Sequence, residues 1–245
     1  MSARLLEVEN LGKRFDGFIA LEGIDLEVAP GERVGLIGPN GSGKSTLVNC
    51  LCGTLVNDTG RVRFEGRVLN GLPAHERTRL GIARSFQLPR PFGSMSVAEN
   101  LRVPLIYTVN ARRGAKLSAG EIGVRCNQLL DLVGLAEMAQ RYPRDLTQVE
   151  MRKLELARAM ATEPKLLIAD EAMAGLSQSE VEDIVKLLIR LNERGITVIL
   201  IEHIMRAVMS FSQRLVVLVS GRKIADGQPE EVMRDPEVER AYLGQ

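Results

Sequence analysis

The sequence predicts an α/β fold. A parallel sheet forms the core, an antiparallel β subdomain lies beside it, and an α-helical subdomain is inserted between core strands. Three observations carry that prediction. The apolar runs LLIAD and TVILIE flank an amphipathic helical pattern over residues 180–194, which is strand, helix, strand. The glycine-rich GPNGSGKST follows a buried strand pattern and opens an apolar helix. Residues from about 97 to 161 carry helical periodicity in place of strand alternation.

Taken in order, LLEVENL and IDLEV alternate apolar and polar residues and are separated by Gly and Asp, the pattern of short antiparallel strands. GERVGLIG reads as a buried strand, and the pattern turns helical from Gly43. From Gly60 a second short strand pair, RVRFEG and RVLNG, is punctuated by glycine. In the helical block, Cys126, Leu129, Leu130 and Val133, and later Leu154, Leu156 and Ala157, mark buried faces, with loops at RRGAKLSAGE and RYPRDLT. Val181, Ile184, Val185, Leu188 and Leu191 line one face of the later helix, and Gly195 stops it. The expected layout is one domain over residues 1–245. Its β subdomain and sheet core occupy about 1–87 and 162–245, and its helical subdomain about 88–161.

Composition narrows the function classes. Thirty-two Lys and Arg against 31 Asp and Glu leave a formal charge of +1, so no global electrostatic footprint points to nucleic acid or anionic lipid. The apolar runs end well short of the ~18 to 20 residues that cross a bilayer, so the chain is not expected to span a membrane. MSARLLEVENLGKRF lacks an apolar core and a small-residue cleavage site, so it does not read as a secretory signal, and a cytoplasmic address is expected. Cys50, Cys52 and Cys126 form an odd set without metal-ligand spacing and are expected to be buried reduced thiols. The basic pairs Arg112-Arg113 and Arg152-Lys153, and His75 in AHERTR, read as solvated surface groups.

Gly38, Pro39, Asn40, Gly41, Ser42, Gly43, Lys44, Ser45 and Thr46 fit the G-x-x-x-x-G-K-[ST] phosphate loop, placed between strand and helix as that motif requires. The glycines let backbone N–H groups turn inward around phosphate oxygens, and the helix N-terminus adds positive potential. Lys44 is expected to reach the β- and γ-phosphates, and the Ser45 hydroxyl to hold Mg²⁺. Such a loop needs an acidic partner at the end of a second strand, and LLIADE supplies it. Asp170 is the candidate metal ligand through water. Glu171 is the candidate general base for the attacking water.

The motif order is the phosphate loop, SFQ ending at Gln87, LTQVEMRKLELARAM, LLIADE, and His203 after TVILIE. Over essentially the whole chain it resembles the ATPase subunits of ABC transporters. RSFQLPRPFGSMSVAENL and the tail GRKIADGQPEEVMRDPEVERAYLG are most similar to the ATPases of branched-chain amino acid importers. The resemblance implies a RecA-like P-loop NTPase core that binds ATP and Mg²⁺. It makes Phe15 the aromatic that stacks on adenine, with Phe18 a weaker candidate. Gln87 becomes the link between Mg²⁺, attacking water and a transmembrane partner, and His203 the switch on the γ-phosphate. Without it, Phe15 is a core aromatic, Gln87 a polar loop residue and His203 a satisfied strand-end histidine.

Two departures qualify the resemblance. The family's signature loop is rich in Ser and Gly, whereas this chain has Leu146, Thr147, Gln148, Val149 and Glu150, with Val149 where the family has glycine. A β-branched residue there is expected to disfavour both the backbone angle and the approach to a nucleotide. Ala172 also replaces the usual proline after the paired carboxylates, and Gly175, Leu176 and Ser177 fill a loop that often carries aspartate. In the family each nucleotide is sandwiched between one subunit's phosphate loop and the other's signature loop, so the defect falls on the partner's nucleotide. The resemblance therefore implies a second ATPase subunit, a heterodimer in preference to a homodimer. It also implies transmembrane permease subunits, a periplasmic or extracellular solute-binding protein, and a peripheral position at the cytoplasmic face of the plasma membrane. Two competing readings are a weakly hydrolysing regulatory switch and a soluble non-transport ABC ATPase. The single cassette, the absence of long heptad runs and the balanced charge weigh against the latter.

Overall fold

The computed structural model describes residues 4–114 and 116–243. β1 (Leu6–Phe15) and β2 (Phe18–Val28) form an antiparallel hairpin that pairs Leu6 with Val28 at its base and Phe15 with Phe18 at its tip. β3 (Arg33–Ile37) leaves for a second sheet, while β4 (Thr59–Phe64) and β5 (Arg67–Val68) return to the first, whose order is β2-β1-β4-β5. The second sheet adds β6 (Ile82–Ser85), β7 (Leu166–Asp170), β8 (Thr197–Ile201), β9 (Arg214–Val219) and β10 (Arg222–Gly227). Its order is β10-β9-β3-β8-β7-β6, parallel from β9 to β6 and closed by an antiparallel β10 at one edge.

The apolar runs of β7 and β8 are continuous because both faces of the sheet are covered. Leu166, Ile168, Ile199 and Ile201 point into a layer shared with the first sheet, where they meet Leu6, Val28, Leu47 and Phe64. Leu167, Ala169, Val198 and Leu200 point the other way, into the helical side.

α1 (Lys44–Cys52) follows β3 and α2 (Ala74–Leu80) precedes β6. Between β6 and β7 lie α3 (Val97–Pro104), α4 (Asn110–Arg113), α5 (Ala119–Val133) and α6 (Gln148–Met160). Pro104 lacks an N–H, and the chain passes through a π-helical turn, Leu105–Val109, before α4. α7 (Gln178–Glu193) joins β7 to β8, and α8 (Met205–Phe211) joins β8 to β9. α9 (Pro229–Val232) and α10 (Pro236–Leu243) end the described chain. Leu101, Cys126, Leu130, Leu154 and Leu156 pack with Ile184, Leu188 and Leu191 of α7 in one apolar cluster. Among the described residues, no helix is long and apolar enough to cross a membrane.

Three expectations need correction. Cys50 and Cys126 are buried free thiols, but Cys52 is only half-buried. Arg112 is not a solvated charge: its guanidinium donates to the carbonyls of Thr78, Arg79, Thr162 and Glu163, tying α4 to the ends of α2 and α6. Arg152 is buried, 7% exposed, because it faces the site described below. The Arg113 side chain lies outside the described residues, and His75 is exposed as expected.

Candidate active site

β3, β8, β7 and β6 are neighbours that all run the same way, so their C-terminal ends form one edge. That edge brings together loop 38–46 after β3, Glu202 and His203 after β8, Asp170 and Glu171 at β7, and Gln87 after β6. In parallel sheets this edge is where ligands bind, because helix N-termini and loops converge there.

Gly38, Gly41 and Gly43 have φ of 151°, 76° and 103°, in the range that side-chain-bearing residues avoid. Space excludes a Cβ as well: one on Gly38 would sit 2.1 Å from the Leu218 carbonyl oxygen, and one on Gly43 2.7 Å from that of Ala20. Ser42 is buried, Asn40 and Ser45 are exposed, and Pro39 and Thr46 are half-buried. Lys44 is folded back over the loop, its Nζ donating to the carbonyls of Gly38 (2.7 Å) and Pro39 (3.0 Å). Burial holds the Lys44 ammonium below its usual pKa, against the opposing pull of Glu171 and Asp170.

Asp170 is 6% exposed, and its Oδ2 accepts from Arg84 Nε (3.1 Å) and Nη2 (2.5 Å). Arg84 Nη1 donates to Asn49 Oδ1 on α1 at 2.7 Å, so one guanidinium bridges β6, β7 and α1. Glu171 adopts the left-handed region at φ 48°, uncommon for a residue with a side chain, while its N–H donates to Ile201 O at 2.9 Å. Its carboxylate is bracketed: Gln87 Nε2 donates to Oε2, and His203 Nε2 lies 3.3 Å from Oε1. Glu202 is buried, and its Oε1 accepts the Met173 N–H at 2.8 Å. Burial pushes its carboxyl up to about 7, against the backbone N–H groups of Met173 and His203 and the charge of Arg152; the Glu171 charge adds to the rise.

The β1–β2 hairpin meets the loop where Ala20 and Leu21 press on Gly43. Phe15 and Phe18 face each other at its tip and are 44% and 66% exposed, so neither is a core aromatic. Lys13 Nζ lies 5.5 Å from the Phe15 ring centre.

Segment 147–150 lies at the start of α6, where Thr147 and Glu150 cap each other: Thr147 N donates to Glu150 Oε2 at 2.7 Å and Glu150 N to Thr147 Oγ1 at 3.3 Å. Thr147 and Gln148 are exposed, and Glu150 is half-buried. Val149 packs inward against the helical cluster. Its backbone is ordinary right-handed helix, so the expected conflict between a β-branched residue and the backbone angle does not arise. The first helical turn requires no left-handed residue there.

Arg84, Arg152 and Glu202 belong to the site as well, although no motif in the sequence names them. A charge inside IARS, between buried positions, marks Arg84 as paired; the other two carry no local signal, because their partners come from distant segments.

The ABC transporter family model matches residues 21–174. The chain belongs to the ABC transporter family. A second model, described as branched-chain amino acid ATP-binding cassette transporter, matches residues 222–245 of this ABC ATPase. The high-affinity branched-chain amino acid transport ATP-binding protein BraF of Pseudomonas aeruginosa is 40% identical to it over 254 residues, with 100% of each chain covered. LivG of Escherichia coli K12, which carries the same description, is 39% identical over 258 residues, again covering 100% of each. Among solved structures, the ADP conformation of an ATP-binding cassette of an ABC transporter is 34% identical with a TM-score of 0.89, covering 99% of each chain.

Proposed function

We propose that this ABC ATPase hydrolyses ATP to power import of branched-chain or related amino acids, or small amides. The observation that carries the reading is the Glu171 carboxylate held between Gln87 and His203 on the same sheet edge as the phosphate loop. Loop 38–46 cradles the phosphates, and Lys44 exchanges its own loop carbonyls for β- and γ-phosphate oxygens. Phe15, exposed at the hairpin tip, stacks on adenine. Glu171 takes the proton from the attacking water, Gln87 orients that water, and His203 contacts the γ-phosphate.

Mg²⁺ fits the donor set, because Ser45, Asp170 and Gln87 offer hydroxyl, carboxylate and amide oxygens, the hard ligands this ion prefers. When bound, it would neutralise phosphate charge. Arg84 orients Asp170 from β6 through two bonds to the same oxygen, Oδ2.

The substrate class rests on the full-length likeness to branched-chain amino acid transport ATP-binding proteins. In this reading the chain is one ATPase domain with its helical subdomain at about residues 88–161. It sits at the cytoplasmic face of the membrane on permease subunits fed by a solute-binding protein. A second ATPase completes an asymmetric dimer, in which Thr147, Gln148, Val149 and Glu150 face the partner's nucleotide. The Gln and Val in that segment favour, as a second reading, a subunit whose trans site hydrolyses slowly and serves regulation.

Reconstituted complexes test this. Lys44→Ala should abolish ATP binding, whereas Glu171→Gln should keep ATP bound and lower turnover about 10²-fold or more. Wild-type turnover in Glu171→Gln removes the base assignment. Uptake of labelled leucine that does not depend on ATP removes the transport reading.

A further inference from the structure

Arg152 enters the site from α6, one turn after the Thr147–Glu150 cap. Its Nη1 donates to the backbone carbonyl of Gln87, and its Nη2 to that of Ala174 at 3.1 Å. The two acceptors lie on different loops: one leaves β6, the other leaves β7 just beyond Glu171. Gln148, one turn earlier on the same helix face, shares the second acceptor, its Nε2 donating to Ala174 O at 3.3 Å. Gly175 permits that contact, since a Cβ there would lie 2.6 Å from Gln148 Nε2.

Charge neutralisation alone does not account for this placement. Glu202, Glu155 and Glu171 surround Arg152 electrostatically, yet its two hydrogen bonds to these loops go to neutral carbonyls. The Gln87 loop needs such an anchor, because Phe86, Gln87 and Leu88 are all exposed. Fixing the Gln87 carbonyl fixes the origin of the side chain whose amide donates to Glu171.

We infer that Arg152 is a positioning residue for hydrolysis: its guanidinium locks the Gln87 loop to the segment after Glu171, and so links the start of α6 to this subunit's own site. The inference rests on the reading of Glu171 as general base. Only a planar fork spans two carbonyls on separate loops, so lysine is a poor substitute.

The test uses the assembled complex and three variants of this chain. Arg152→Met keeps the length and removes the donors. It should lower kcat about 10- to 100-fold, the scale of a misplaced catalytic group, while the Kd for ATP changes less than about twofold. Hydrogen exchange should quicken in peptides covering 85–92 and 171–177 and stay unchanged in the interior of α6. Arg152→Lys keeps the charge beside Glu202, so the fold is preserved, and should lose most of the same activity. Glu171→Gln, run in parallel, separates the two readings. If it hydrolyses at the wild-type rate the base assignment fails, whereas the positioning role is overturned if Glu171→Gln is dead and an Arg152 variant keeps kcat within twofold. Loss of ATP binding in step with kcat overturns it as well, as does unchanged exchange in both loops. If Arg152→Met does not fold, Arg152→Lys decides by the same criteria.

Discussion

Glu202 follows β8 and is buried, and burial pushes its carboxyl up to about 7. In the unfolded chain it titrates near 4.5. The folded state therefore holds this proton more tightly, so stabilisation from Glu202 is full below about pH 4.5 and is lost as pH rises through about 7. The difference corresponds to on the order of 3 kcal/mol. Glu202→Gln keeps an acceptor for the Met173 N–H and cannot ionise, so its Tm relative to wild type should climb between about pH 5 and pH 8. Parallel Tm curves for the two proteins would contradict the assignment. At this scale the phosphate loop and the Asp170–Glu171 pair were legible, because their chemistry is local and contiguous. Arg84, Arg152 and Glu202 were not, because each is defined by a partner on another strand or loop.

Helix starts carry their own signal. Ser96 with Glu99, Ser118 with Glu121 and Thr147 with Glu150 form reciprocal side-chain to backbone bonds at the N-termini of α3, α5 and α6, and at α7 Glu180 accepts from the Ser177 N–H and hydroxyl. The spacing S/T-x-x-E is visible in the chain and places the start of α7 at Gln178, earlier than the apolar periodicity alone indicates. Thr147→Ala should cost about 1 kcal/mol by removing that cap from α6, read as a lower urea midpoint with an unchanged m-value. Val149→Gly should cost about 0.4 kcal/mol in helix propensity, and further for lost packing on the helical cluster. An unchanged midpoint in both would mean that α6 is held by its apolar face alone. The π-helical turn after Pro104 was not legible, since it depends on how α3 and α4 are clamped between α2 and the core.

For the whole molecule, the proposed dimer would place the exposed start of α6 against a second subunit. On that proposal, with Glu171 as the base, a complex carrying Glu171→Gln would report only the partner's phosphate loop. In that background, Gln148→Gly with Val149→Gly should raise residual turnover about tenfold, part of the ~10²-fold that one transition-state donor is worth. Gln148 also donates to Ala174, so the same pair should slow this subunit's own site when Glu171 is intact, through the loop that Arg152 still holds. Residual turnover that does not rise means that segment 147–150 sets no rate at a facing site.

By itself the sequence determined the alternation of strands and helices, the phosphate loop and the acidic strand end, because each depends on neighbours within a few residues: glycines for φ, apolar runs for a sheet buried on both faces, a carboxylate pair at a strand terminus. Tertiary structure alone decided which strands lie side by side, and hence that residues as far apart as Lys44 and His203 share an edge. It alone turned Val149 inward and placed the guanidiniums of Arg84 and Arg152 across loops remote in sequence. The physical reason is that strand order and side-chain direction follow from which apolar faces bury together, a property of the packed chain that no local segment carries.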